Sequence, residues 1–101
     1  MNKVKLEGRL TKDPELVERG GKQVCDLRLA VNGPGKTPPL FIDVVAFDEL
    51  AEASAEGFKK GSRVKVRGPL RYSEWEAKST PRSKPQKRSK HSVIAHELVA
   101  A

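Results

Sequence analysis

Aromatic side chains are scarce in this chain of 101 residues: three Phe, one Tyr and one Trp. Cysteine is scarcer still, since Cys25 stands alone, which excludes an intramolecular disulfide and suits a reducing compartment. Long apolar runs are missing. None approaches the ~18 residues of a membrane-spanning helix, and Lys3, Lys5, Glu7 and Arg9 break up any signal-like stretch at the amino terminus. A single cytoplasmic domain with one modest core is therefore expected over residues 1–101.

Signatures of catalysis are lacking too. No nucleophile stands in a pattern with a base, and Glu49, Glu52 and Glu56 take solvent-facing helical spacing, so no enzyme activity is expected. GPGKT at 33–37 ends like a phosphate-binding loop, but Ala30 stands where a glycine is needed and Pro38-Pro39 deny the helix that must follow. It reads as a hairpin loop. His91 and His96, five apart in an expected strand, face opposite ways with no cysteine pair to join them, so neither a metal nor any other cofactor is expected.

What is present is mostly positive charge and alternation. The formal charge is +7, and residues 77–92 carry Lys78, Arg82, Lys84, Lys87, Arg88 and Lys90 with no acid, a localised run that suits a polyanionic partner. Period-two alternation predicts strands over 3–12, Val24 to Asn32, Phe41 to Phe47, Arg63 to Tyr72 and Ser89 to Val99. Cys25 shares parity with Leu27, Leu29 and Val31, which marks a buried, inert thiol. Between the third and fourth strands the period shifts to 3.6. Leu50, Ala53, Ser54, Gly57 and Phe58 share a helical face, with Asp48 placed to cap and Gly61 to stop the helix. Mid-strand Gly8 and Gly68 mark sharp bends, and Pro69 an edge or bulge. The order β-β-β-α-β-β predicts an all-β fold with one short helix, a five-stranded closed OB-fold barrel of the kind that binds oligonucleotides.

Parity then sorts the rings. Phe58 and Tyr72 fall inward, whereas Phe41, Phe47 and Trp75 fall outward, and Arg63, Lys65, Arg67, Arg71 and Trp75 are expected on one face of a single strand. Outward rings beside cations can stack bases and neutralise phosphates.

The blocks MNKVKLEGRLTKDPEL, CDLRLAVN, FIDVVAF with ELAE, KKGSRVKVRGPLRYSEWE and KRSKHSVIA cover most of the chain in one order. In these the chain resembles the bacterial single-stranded DNA-binding protein family. The resemblance implies an OB-fold without catalysis, sequence-independent binding of single-stranded DNA in replication, recombination or repair, a nucleoid-associated location, and a homotetramer, with a dimer as the alternative. By position, it assigns base stacking to Phe41, Phe47 and Trp75 and phosphate contacts to Lys3, Lys60 and Arg71. The basic segment, about 77–89 with Arg82, Lys84, Lys87 and Arg88, corresponds to a flexible loop that closes over the strand. Departures are the acidic pair Asp48-Glu49 in place of the family's Gly-Lys, a short GPGKTPP loop without a stacking ring, and an end at Ala101 without the acidic tail that recruits partners. The chain is accordingly expected to be a short form, by truncation or as a tailless paralogue. Two other roles suit the same residues: a primosome-type or RNA-binding adaptor, and a protein-interaction module whose rings form an interface.

Overall fold

The computed structural model describes residues 1–77 and 86–101. Alternation in VKLEGRL gives β1 (Val4–Leu10), which pairs antiparallel with β5 (Arg63–Gly68) from Val4 opposite Gly68 to Arg9 opposite Arg63. On its other side β1 meets β3 (Lys22–Val31), and β3 runs antiparallel to β4 (Leu40–Phe47) along its whole length. Leu27, Leu29, Val44, Val64, Val66 and Val93 are almost wholly buried inside this curl. Cys25 belongs to the same core. Burial, with the Asp26 carboxylate adding, pushes its thiol up to about 11, so it stays protonated and unreactive at neutral pH.

The molecule is mostly β with one short helix, consistent with the expected OB-fold, but its strands are more numerous and its sheet is not closed. Eight strands are present among the described residues. One addition is β2 (Glu15–Arg19), which forms a hairpin with β3 through Gly20 and Gly21, both at positive φ as a tight two-residue turn requires. The others come from breaks. The strand expected over Arg63 to Tyr72 divides at Pro69 into β5 and β6 (Leu70–Ala77), and that expected over Ser89 to Val99 divides into β7 (Gln86–Ile94) and β8 (Glu97–Ala100).

Sheet order is β6-β7-β4-β3-β1-β5-β8, with β2 off this path on β3. Around the Gly68-Pro69 corner the Ile94 N–H donates to the Pro69 carbonyl (3.0 Å), extending the β6–β7 pairing, and the His96 N–H donates to the Arg67 carbonyl (2.8 Å), extending the β5–β8 pairing. Glycine makes these approaches possible. A Cβ on Gly68 would lie 2.9 Å from the Ile94 carbonyl carbon and 3.1 Å from the His96 nitrogen, and one on Gly8 would lie 2.9 Å from the carbonyl carbon of Ala30.

Helix α1 (Asp48–Gly57) is shorter than expected and turned differently on the core. Ala51 and Ser54 are buried, and Leu50, Ala55 and Phe58 pack against the core, whereas Ala53 and Gly57 are exposed. Asp48 does not cap it: Phe47 takes the N-cap position and no side chain supplies a cap hydrogen bond. Instead Asp48 begins the helix at φ +54°, in the left-handed region that costs a side-chain-bearing residue roughly 1 to 2 kcal/mol, less for Asp. Its charge near the helix N-terminus returns about 0.3 to 1 kcal/mol. Asp48→Gly is expected to raise stability by about 0.5 to 1 kcal/mol while Asp48→Ala lowers it. Urea midpoints of the two variants check this, and equal midpoints would mean that φ is not under strain. Among the described residues no helix is long and apolar enough to cross a membrane.

Candidate nucleic-acid interface

The outer face of β4 organises the site. Ile42, Val44 and Ala46 point into the core, so Phe41, Asp43, Val45 and Phe47 point out, the two rings standing six positions apart, or about 20 Å of strand. Phe41 is 51 % exposed and Phe47 half-buried. Both therefore stand on the solvent side, as expected. Directly across on β3, Val24 faces Phe47 and Ala30 faces Phe41, while Arg28 faces Asp43 and donates to its Oδ1 at 2.9 Å. The same guanidinium lies 5.7 Å from the Phe41 ring centroid, so the ring already carries a cation on its flank.

On the other side of β4 lies β7, parallel to it, with Asp43 opposite Ser92. Alternation from Ser92 places Lys90 and Arg88 on the same outer face, and through the β6–β7 pairing also Arg71, Ser73 and Trp75, with Trp75 opposite Arg88. Two hollows result. One, of about 520 Å³, opens at the edge where the outer face meets the core: Phe41, Arg28 and Lys90 reach it from outside, and Leu40, Ile42, Leu70, His91, Val4 and Leu6 from the inner side. The second, of about 310 Å³, takes in Phe47, Arg71, Lys90, Arg19 and Lys22. Lys90 borders both. Arg19 is paired with Asp26 at 2.8 Å and Arg28 with Asp43, but Lys22, Arg71 and Lys90 make no ion pair among the described residues. Their charge is thus available to an anion.

Beyond Tyr72 and His91 the β6–β7 pair leaves the sheet as a two-stranded ribbon, because β7 pairs with β4 only over Ser92 to Ile94. Both ribbon faces meet solvent. Trp75 is 46 % exposed, and Tyr72, expected in the core, is 51 % exposed. Its parity is inward, level with Leu70 and Val93, but no sheet covers that face of the ribbon. Tyr72 instead packs at a 41° tilt against His91, with ring centroids 5.0 Å apart, and donates its hydroxyl to Glu74. That bond raises the Tyr72 pKa and lowers that of Glu74.

The remaining nominated cations are dispersed. Lys87 alternates with Arg88 onto the face opposite Trp75 and pairs with Glu74 at 3.1 Å. Lys60 lies in the turn after α1, its amide donating to Asp13 Oδ1, and borders neither hollow. Lys3 lies with Asn2, Arg67, Pro69 and His96 in a separate hollow of about 390 Å³. Arg82 and Lys84 fall outside the described residues, as does the centre of the expected loop; Ala77 and Gln86 to Ser89, placed in that loop, are strand.

Arg63, Lys65 and Arg67 do not share a face with Arg71 and Trp75. Pro69 has no N–H to continue a ladder and Gly68 allows the corner, so β5 stays with β1 and β8 while β6 joins β7 at the opposite end of the sheet order. Arg19, Lys22, Arg28 and Lys90 are the site cations that parity within one strand did not single out. For Lys90 the signal was its common parity with Arg88, for Arg19 and Lys22 the Gly20-Gly21 hairpin that brings β2 and the start of β3 beside Phe47, and for Arg28 the β3–β4 pairing that sets it by Phe41.

An open β-barrel-like sheet with exposed rings between cations defines an oligonucleotide-binding class of protein. The sequence pattern of the single-strand binding protein family matches residues 1–100, and the chain belongs to that family. Single-stranded DNA-binding protein 1 of Synechocystis sp. is 36 % identical over 91 aligned positions, covering 84 % of this chain and 75 % of that protein. The single-stranded DNA-binding proteins of Clostridium perfringens (41 % over 85) and Wolinella succinogenes (36 % over 105) are also similar, with 81 % and 96 % of this chain aligned. The chain spans 57 % and 62 % of the length of those two relatives.

Proposed function

We propose that this protein binds and protects single-stranded DNA without regard to sequence, in replication, recombination or repair, and is not an enzyme. One observation carries the reading: Phe41, Phe47 and Trp75 stand on one outer face with Arg71, Arg88 and Lys90 between them. Bases stack on the rings and phosphates lie along the cations, with Lys3, Lys60, Arg82, Lys84 and Lys87 adding to the surrounding positive field. Every base has a π-face, and this contact needs no base-edge code. The relatives named for single-stranded DNA favour DNA over an RNA-binding or adaptor role. A cytoplasmic, nucleoid-associated location and a homotetramer, or failing that a dimer, complete the proposal.

Titration with oligo(dT), followed through Trp75 fluorescence at several salt concentrations, tests it. Quenching is expected, with log K falling against log salt at roughly 0.7 per neutralised phosphate. Preference for duplex DNA or structured RNA over oligo(dT) would overturn the reading, and native mass measurement gives the subunit number.

A further inference from the structure

We propose that Asp26 and Asp43 set the selectivity of the site, turning away duplex DNA while admitting a single strand; this deepens the single-strand reading above and rests on it. Both carboxylates stand on the outer face between Phe41 and Phe47. Asp43 is on β4 itself, opposite Arg28, and Asp26 is on β3 opposite Val45, so the two are diagonal neighbours, roughly 7 to 8 Å apart at the backbone. Acids at the centre of a face that binds a polyanion oppose that binding. Each is tied to one arginine: Arg28 Nη1 lies 2.9 Å from Asp43 Oδ1, and Arg19 Nη2 lies 2.8 Å from Asp26 Oδ2. In both pairs the carboxylate is the more buried partner, so the sheet holds the acid in place and the guanidinium comes to it. Exposed pairs of this kind add little to stability, so the fold alone does not call for them.

Their effect depends on the shape of the ligand. A duplex keeps its bases stacked inside, offers the rings nothing, and binds through its phosphates. It is also a stiff rod, with a persistence length of about 50 nm and one charge per ~1.7 Å of axis, so its phosphates cannot step aside from the two acids. With Arg19 and Arg28 already neutralised, the centre of the face gives such a rod no net charge to hold. A single strand has no such stiffness. It lays bases on Phe41 and Phe47 and runs its phosphates along Lys22, Arg71 and Lys90, which border the hollow of Phe47 and make no ion pair among the described residues. The acids therefore cost the single strand little and the duplex much.

The test compares the full chain with Asp26→Asn/Asp43→Asn on oligo(dT) of about 20 nucleotides, longer than the site size of one OB-fold, and on the oligo(dT)·oligo(dA) duplex of the same length. Anisotropy of a labelled strand at several salt concentrations gives affinity and slope. Asparagine keeps the shape and removes the charge. The parent is expected to prefer oligo(dT). In the variant, duplex affinity should rise about tenfold or more at low salt and its salt slope by about 2, two freed arginines at roughly 0.9 each, while oligo(dT) affinity rises less than about threefold. Glu52→Gln/Glu56→Gln, which removes the same charge from the exposed side of α1, is the control and should leave the preference as it is. Equal gains on both ligands overturn the proposal, since the acids would then only lower the general field. So does an unchanged duplex affinity or slope, and so does a loss of oligo(dT) binding, which would make the acids supports for the arginines. If the double variant does not fold, Asp43→Asn alone carries the same test with about half the slope change. A parent that prefers the duplex ends the single-strand reading itself; a parent that prefers oligo(dT), beside a variant with unchanged preference, ends only this one.

Discussion

Alanine at Gly68 is expected to cost at least about 3 kcal/mol of folding stability, a drop of roughly 10 to 20 °C in Tm for a domain of this size. The added methyl would meet the Ile94 carbonyl group and the His96 nitrogen, which are backbone atoms and cannot rotate away. The His96 N–H also donates to the Arg67 carbonyl and the Ile94 N–H, on the same residue as the crowded carbonyl, to the Pro69 carbonyl, so displacing this backbone weakens the hydrogen bonds that hold the corner. The effect is a property of the corner and not of glycine in general. Gly57, where a methyl would meet nothing within 4 Å, serves as the control, and Gly57→Ala should be neutral or mildly stabilising. Thermal unfolding of both variants decides the matter; equal midpoints would remove the tight corner from the account.

The second large effect concerns binding. Trp75→Ala should weaken oligo(dT) affinity by about one to two decades at fixed salt, since a stacked base contributes roughly 1 to 3 kcal/mol. Salt slope should stay the same, because no charge is removed. Arg71→Gln provides the converse, a small loss of affinity with a slope reduced by about 0.7. Trp75 is exposed on an uncovered ribbon, so its truncation leaves no cavity in the core and folding stability should hardly move. A loss of stability in place of affinity would reassign the ring to structure.

Local alternation made the inner wall of the fold legible. Parity alone places Ile42, Val44 and Ala46 inside and Phe41 and Phe47 outside, because β4 is flanked on both sides and one of its faces must be dry. The same rule misplaced Tyr72, whose inward parity has no meaning on a ribbon without a sheet behind it. It also ran one strand through Pro69, reading the missing N–H as an edge or bulge where the chain in fact breaks into two strands. Breaking the strand at that point moves Arg71 and Trp75 to β7 and leaves Arg63, Lys65 and Arg67 behind on β1. The helix face shifted for another reason: α1 starts from a left-handed Asp48, which sets its rotation on the core independently of its apolar spacing. Lys90 could be read from its common parity with Arg88, but its place beside Phe41 and Phe47, like that of Lys22, comes from the parallel β4–β7 pairing and the β2–β3 hairpin, which no single-strand pattern contains.

Leu70 has one more part. The side-chain amide of Asn2 accepts from the Leu70 N–H at 2.9 Å and donates to its carbonyl at 2.8 Å, standing in for the neighbour that a terminal strand lacks. With Pro69 unable to donate just before it, the exposed border of β6 opens with its polar backbone already occupied. A foreign strand seeking to zip onto this border finds no starting point there, so one amide guards the chain against adhering edge to edge to its own kind.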